Sequence, residues 1–313
     1  MPNSGSPTHP LRAKTRFGYA TIAGLPNAGK STLVNALVGE KVAIVADKPQ
    51  TTRGAVQGIR TTPEGQIVFV DTPGIHRGDS YFNRRMMSAV REALDAPDVR
   101  VYLTDAAREP GAAEWEALDT VARAHREAPR PAILALNKID LIRDKREILP
   151  RIERFREKFA FDEFVPVSAT TGAGLDDLAA TILRLLPEGE PQFPPDRFTD
   201  QPEKYLAAEL IREQVLRVTR AEVPHSVAVQ VEEWEEKKTL TRIAARIAVE
   251  REGQKGILIG ARGATLKRIG TEARQAIESM VGRKVFLELR VTVEPRWRDS
   301  ERFVNELDWR TNA

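Results

Sequence analysis

The chain has 313 residues, 41% of them hydrophobic and 30% charged, with a formal net charge of +3 and a sequence pI near 9.1. That length suits about two domains with buried cores, and the absence of cysteine excludes disulfides and thiolate zinc sites and fits a reducing compartment. Four scattered histidines, His9, His76, His125 and His225, give no basis for a histidine-built metal cluster, and the small positive balance permits an anionic partner without requiring one.

The opening stretch MPNSGSPTHPLRAKTR has no apolar signal-peptide core, and no apolar run is long enough to span a bilayer. A cytoplasmic protein with a disordered tail over residues 1–15 is expected. From there to residue 187, short apolar runs alternate with amphipathic segments. FGYATIAG, QIVFVD, VRVYLTD, PAILALNK and FVPVSA read as strands, and 30–38, 82–95, 112–127, 146–158 and 175–186 read as helices. AVQGIRTT and QIVFVD, joined by PEG, form one antiparallel hairpin in an otherwise parallel set. This alternation predicts an α/β domain over 16–187 with a doubly wound, mostly parallel sheet, whose ligand loops lie at the strand C-termini.

The first functional pattern joins the first strand to the first helix. GLPNAGKST, residues 24–32, fits G-x-x-x-x-G-K-[ST] on Gly24, Gly29, Lys30 and Ser31. The two glycines let the backbone wrap closely, so that the N–H groups through Asn27, Ala28 and Thr32 and the helix N-terminus face phosphates. Lys30 would reach the β- and γ-phosphates, and the Ser31 hydroxyl would ligate Mg²⁺.

DTPGIH, residues 71–76, ends the next buried strand. Alone, Asp-Thr-Pro-Gly is a good turn. Paired with the upstream loop it is expected to be a phosphate sensor, with Asp71 holding magnesium through water and the Gly74 N–H meeting the γ-phosphate. Ile75 stands where Ras-like hydrolases often carry a water-orienting glutamine, and it can orient nothing.

NKID, residues 137–140, ends another apolar strand. The Asp140 carboxylate can accept from both the ring N–H and the exocyclic amine of guanine, a donor pair that adenine lacks on that edge. Asn137 would hold the opposite edge, the Lys138 stem would cover the face of the base, and Ser168, Ala169 and Thr170 would bring the Ala169 N–H to the guanine oxygen. Each short string is common by chance. Four in this order, each after a strand, select GTP over ATP.

The motif order resembles that of the translation-factor-type GTPases, and GLPNAGKSTLVNALVGEKVAIVADKPQTTR, DTPGIH and NKID closely resemble the bacterial Era GTPase family. The resemblance implies an active GTPase (GTP and water to GDP and phosphate) despite Ile75. It gives Thr52 the role of a switch residue that coordinates Mg²⁺ and closes over the γ-phosphate. It also implies that Asn27 helps to hold K⁺ beside the phosphates; the plainer role for Asn27 is tolerance of a left-handed backbone. Catalysis by Asn27, Lys30, Thr52 and Gly74 would then be positioning and charge stabilisation, with no general base assigned.

PEGEPQFPPDRFTDQP, residues 187–202, holds five prolines and is expected neither to continue a helix nor to pair in a sheet, so 188–202 marks the domain boundary. After it the pattern is a helix (203–220), two strands (226–237 and 240–252), a glycine-punctuated helical pair (254–281) and a last strand (284–294). In GQKGILIGARGATLKRIG, Gly260-Ala261-Arg262-Gly263 fits a G-x-x-G loop whose backbone can approach a nucleic-acid backbone. Lys255, Arg262, Lys267, Arg268 and Arg274, offset by Glu272, form a candidate phosphate stripe; Gly256 keeps the approach open, and Ile257 and Ile259 could floor it for unstacked bases. A helix-helix turn and a solvated helix face are the plain alternatives for these features. The whole order of elements over 203–313 resembles a type II KH domain, and PRWRDSERF resembles the Era tail. Trp234, Trp297, Phe303 and Trp309 surround this domain and by default are core. The closing ELDWRTNA departs from the family's glycine-aromatic ending.

The resemblance implies binding of GTP or GDP and of the single-stranded 3′ end of small-subunit (16S) ribosomal RNA, in assembly of the 30S subunit. A membrane-associated signalling switch, whose C-terminal domain contacts protein or lipid at the inner membrane, is the competing expectation. A monomer is expected.

Overall fold

The computed structural model describes residues 15–46, 48, 51–76, 79–95, 97–219 and 226–309. The tail expected over 1–15 thus lies outside the described residues save for Thr15. In the first half, β1 (Arg16–Ala23), α1 (Lys30–Val38), the hairpin β2 (Val56–Thr62) and β3 (Gly65–Asp71), α2 (Tyr81–Asp95), β4 (Val99–Asp105), α3 (Ala112–Glu127), β5 (Ala132–Asn137), α4 (Ile148–Arg156), β6 (Glu163–Pro166) and α5 (Leu175–Leu185) follow in order. The sheet runs β2-β3-β1-β4-β5-β6, with only β2 antiparallel. Every residue of β3 and β5 is buried: helices cover both faces of β5, while β3 is covered by α1 and α5 on one face and by Phe193 on the other, so both read as unbroken apolar runs. Parallel pairing of β1 with β3 sets Ile22 opposite Asp71, so the loops after both strands open at the same edge.

The second half holds α6 (Glu203–Val218), β7 (Ala228–Glu236), β8 (Leu240–Val249), α7 (Glu252–Ile259), α8 (Ala264–Val281), β9 (Lys284–Val293) and α9 (Glu301–Leu307). Its sheet is ordered β7-β8-β9, with β7 antiparallel and β9 parallel to β8. Helices α6 and α8 cover one face, burying Ile211, Val215, Ile269, Ala273 and Ile277 against Ile243, Ala245 and Ile247.

Three local expectations are corrected. The proline-rich stretch does pair: Phe198 O accepts from Ile59 N of β2 (2.8 Å), Glu188 bridges Arg16, and Phe193 packs beside Phe17, Ile59 and Val68. Prolines cannot donate, but their neighbours can serve an exposed edge strand. The strand expected to run to 252 stops at Val249, because Gln254 Oε1 accepts from the N–H groups of Glu250 and Arg251 and starts α7 early. Helix α9 was not anticipated at all; too short to show a period, it is capped by Ser300 and buries Phe303 and Val304.

The halves meet through side chains. Phe82 and Met86 of α2 share a buried cluster with Ala228, Ala248, Trp297, Phe303 and Val304. Trp297 is 1% exposed, donates from Nε1 to Ser226 O (2.8 Å) and meets the Phe82 ring edge-on at 5.2 Å. Core packing, the default for the four aromatics, holds for Trp297 and Phe303; Trp234 lies half-buried with Nε1 on Glu236, and Trp309 rests 6.3 Å from the Tyr205 ring.

Candidate nucleotide site and RNA interface

The loop between β1 and α1 is shaped by steric exclusion. Gly29 caps α1 at φ 97, and a Cβ there would stand 2.4 Å from Asn137 Nδ2. Asn27 is exposed and adopts φ 64, the left-handed backbone that was the plainer of its two readings. Lys30 is buried and donates from Nζ to the carbonyls of Leu25 (2.9 Å) and Gly24 (3.2 Å). Burial lowers its ammonium to about 8, opposed by the charges of Asp71 and Glu114.

Three oxygens converge just beyond it. Ser31 Oγ lies 2.7 Å from Thr52 Oγ1 and donates to Asp71 Oδ2 at 2.7 Å, while Thr52 Oγ1 donates to the same oxygen at 3.0 Å. Burial raises the Asp71 carboxyl, against the opposing effects of Lys30 and these two hydroxyls. Asp71 Oδ1 is buried with no hydrogen-bond partner among the described residues. A hard cation suits this set: all donors are oxygens, one is a buried carboxylate, and an orphaned lone pair faces inward. The residues fit Mg²⁺.

Thr72 anchors its hydroxyl on Ile22 O (2.9 Å), and the chain then folds across the loop. A Cβ on Gly74 would meet Pro26 atoms at 2.7–2.8 Å, so only glycine brings this backbone so close. Ile75 donates its N–H to Gly24 O (3.2 Å) and packs its side chain on the cluster of Ala23, Val90 and Leu94. The residue that cannot orient a water is thus a packing residue that holds the Gly74 segment down. His76 contacts Gly74 O through Nδ1 at 2.7 Å.

At the opposite end, the expected base contacts are partly rearranged. Asn137 is 2% exposed; its Nδ2 donates to Ala28 O (2.8 Å) and its Oδ1 accepts from Ala169 N (3.0 Å). It therefore ties the phosphate loop to the last loop and keeps one further N–H, while the Ala169 N–H that was expected to meet guanine bonds Asn137. Asp140 is exposed, with Oδ1 accepting from Ser168 Oγ (2.6 Å), so its carboxylate remains open on one side. Lys138, at φ 65, stretches its stem back to Asn27 O (2.9 Å) and Asp105 (2.8 Å). Thr170 is exposed at the rim, and Thr32 follows Ser31 within α1, half-buried.

In the second half, Gly260 ends α7 at φ 70 and Gly263 caps α8 at φ 79. A Cβ on Gly260 would lie 2.2 Å from Thr265 Oγ1, whereas one on Gly263 would point into open space. Between them Ala261 and Arg262 are exposed, Arg262 at φ 50. Leu258 is buried, which turns Gly256 and Ile257 outward, Ile257 at 43% exposure, with Lys255 and Ile259 half-buried. The cations divide: Arg268 lies 4.0 Å from Glu272 and Arg274 3.1 Å from Glu278, while Lys255, Arg262 and Lys267 have no acidic partner among the described residues. The free positive stripe is therefore three cations around the G-x-x-G loop. Arg274 is neutralised by Glu278, one helical turn beyond the window in which only Glu272 was weighed.

Sequence reasoning missed a polar group at the seam. Arg212, Glu213 and Gln214 of α6 are all buried, and Arg53, next to Thr52, donates to Val227 O (2.6 Å) while stacking on Phe82 and Trp297. IREQV reads as a solvated turn, and only the pairing of QTTR with a partner domain could have exposed it.

Known proteins match this architecture throughout. The model of the 50S ribosome-binding GTPase family matches residues 19–138, and the KH domain model matches 222–298. "GTPase Era" of Geobacter metallireducens is 46% identical over 296 residues, 94% of this chain and 98% of that one. "GTPase Era" of Coxiella burnetii is 42% identical over 295 residues, with 94% and 98% covered. Two solved structures superpose with a TM-score of 0.90 and cover 94% of this chain and 99% of theirs. One is an Aquifex aeolicus Era variant bound to GDP·AlF4⁻, at 39% identity. The other is Era in complex with MgGDPNP and nucleotides 1506–1542 of 16S ribosomal RNA, at 40% identity. With a phosphate loop, a hydroxyl-carboxylate cation set and a G-x-x-G loop in one chain, and relatives that match it over nearly its whole length, the protein belongs to the Era family of GTPases.

Proposed function

We propose that this GTPase is a nucleotide-controlled RNA-binding factor for the 3′ end of small-subunit ribosomal RNA in 30S assembly. The observation that carries the switch is the Thr52–Ser31–Asp71 triangle, in which a residue of the α1–β2 loop meets the two other oxygens of the cation set. Bound Mg²⁺ would neutralise the β- and γ-phosphate oxygens. Ser31 and Thr52 would offer their hydroxyls to it and Asp71 its carboxylate, through water. Lys30 would leave the Gly24 and Leu25 carbonyls for the phosphates, and the Gly74 N–H would report the γ-phosphate.

In hydrolysis the water oxygen bonds to the γ-phosphorus as the bond to the β–γ bridging oxygen breaks, giving GDP and phosphate. Positioning and charge neutralisation carry this step, with Ile75 serving only to pin the segment. Asn27, exposed beside the phosphate loop, is the residue we assign to K⁺. Asp140, Ser168 and the Lys138 stem would hold guanine, with Asn137 and Ala169 keeping the two loops in register.

For RNA, the Gly260–Gly263 loop would take the backbone, with Lys255, Arg262 and Lys267 meeting phosphates, Arg268 joining them on leaving Glu272, and Ile257 and Ile259 lying beneath the bases. We take residues 16–187 as the GTPase domain, 188–202 as a strap along its edge strand and 203–313 as the KH domain, acting as a cytoplasmic monomer. No helix of the described residues is long and apolar enough to cross a membrane; any contact with the inner membrane would be peripheral and would use the same cations. The test is GTP turnover in potassium buffer with and without an RNA matching the 3′ end of 16S ribosomal RNA. Stimulation by that RNA, and weaker turnover when sodium replaces potassium, are expected; no turnover under any condition would sink the proposal.

A further inference from the structure

Among the described residues, the α1–β2 loop that carries Thr52 is held from both domains. Near its start, Asn35 Oδ1 accepts from Val42 N (3.0 Å) and Ala43 N (2.9 Å), and near its end Thr52 meets Ser31 and Asp71. Among the described residues the second domain supplies further anchors, Val227 O for Arg53 and, chiefly, side chains of α6. Glu213, whose side chain is 0% exposed, accepts from Val45 N at 3.0 Å through Oε1 and from Lys41 Nζ at 2.5 Å through Oε2. Arg212, one residue earlier, donates to Thr51 O, the carbonyl directly before Thr52, and is itself held by Glu209 (2.7 Å). Ile44, only 6% exposed, sits in the second domain's core cluster with Ala207, Ala208 and Ile211.

A buried carboxylate is costly to desolvate and is retained where something needs its geometry. Here it meets one backbone N–H and one lysine of the same loop, with Arg217 (3.2 Å) completing its charge balance. Nothing in the folding of a KH sheet demands a carboxylate whose partners lie in another domain.

We propose that Glu213, with Arg212 beside it, is a positioning residue for Thr52. Helix α6 clamps the loop at Val45 and Thr51, so that Thr52 is held on Ser31 and Asp71, and docking of the second domain completes the γ-phosphate side of the site. This rests on Thr52 acting at the cation and γ-phosphate, as proposed above. GDP binding needs the phosphate loop and the base loops but not a closed Thr52, so the clamp discriminates between nucleotides. Affinity for the triphosphate scales with the fraction of molecules in which the loop is closed. If removal of the clamp leaves the loop closed about one-tenth of the time, GTP-analogue affinity falls about tenfold while GDP affinity stays.

The experiment uses the full chain with Mg²⁺, a non-hydrolysable GTP analogue and GDP. Glu213→Ala is expected to weaken the analogue about tenfold or more and to leave GDP within about twofold. Lys41→Ala, which touches only the half-exposed end of the clamp and leaves the core intact, is expected to weaken the analogue about 2- to 5-fold, the range of a single ion pair. In a Thr52→Ala background, Glu213→Ala should cost nothing further, because both act through one group. Equal loss of GDP and analogue in either variant, or an undiminished effect in the Thr52→Ala background, would overturn the clamp. If the unaltered protein itself failed to bind the GTP analogue in Mg²⁺, the nucleotide assignment would fall instead.

Discussion

Replacing Gly74 with alanine should weaken a GTP analogue and leave GDP binding unchanged. The added Cβ would start 2.7 Å from Pro26 Cγ and 2.8 Å from Pro26 Cα and N. Ordinary carbon contacts begin at about 3.5 Å, so a shift of about 0.8 Å restores one. Pro26 is part of the phosphate loop and its ring is fixed, while the Gly74 segment lies in a loop tied, among the described residues, by the Thr72 hydroxyl, the Ile75 N–H and side chain, and the His76 ring on Gly74 O. The Gly74 segment therefore moves. A donor displaced by that much from an ideal contact of about 2.9 Å is no longer bonded. Hydrogen bonds to charged acceptors contribute about 1.5–3 kcal/mol, so GTP-analogue affinity should fall about 10- to 150-fold. GDP lacks the γ-phosphate and should bind as before. Displacement of a fluorescent nucleotide by each ligand measures both constants. A variant that binds both nucleotides normally, or loses both equally, would refute this account of Gly74.

Three further outcomes follow from the site. Asp140→Asn removes the acceptor of two guanine donors, and GTP affinity should fall about 10- to 150-fold while a xanthine nucleotide gains; retained GTP selectivity would place the base elsewhere. Burial lowers the Lys30 ammonium to about 8, and bound phosphates would raise it, so triphosphate binding takes up a proton at high pH. Affinity should be flat below about pH 8 and fall by up to about tenfold per unit above it, and a profile flat through pH 10 would contradict the assignment. Lys267→Ala should reduce the slope of log RNA affinity against log salt by about 0.7, one phosphate contact on a single strand; an unchanged slope in a salt titration would remove Lys267 from the interface.

Local chemistry explains what the sequence made legible. Strands β3 and β5 bury both faces, so their apolar runs stand out, and the phosphate loop, DTPG and NKID follow strands because those loops must meet at one edge. Asn137 was found but its task was not. Whether its amide faces a base or ties two loops depends on Ala28 and Ala169, residues distant in sequence that only the fold brings to it. The clamp was invisible for a related reason. Arg212, Glu213 and Gln214 look like an exposed helical face, and their burial comes from a loop more than 150 residues earlier in the chain, as the separation of 168 between Val45 and Glu213 illustrates. The proline-rich strap misled because composition reports what prolines cannot do, whereas the bonds to Ile59 and Gln57 come from Phe198 and Thr199.

If the proposed function holds, the nucleotide governs the RNA interface. The most direct test is the affinity of the intact protein for the 3′ end of 16S ribosomal RNA, measured in Mg²⁺ with a non-hydrolysable GTP analogue and again with GDP. The account predicts tighter binding with the analogue, because a closed Thr52 loop fixes α6 and with it the KH domain. Equal affinity in the two states would contradict it.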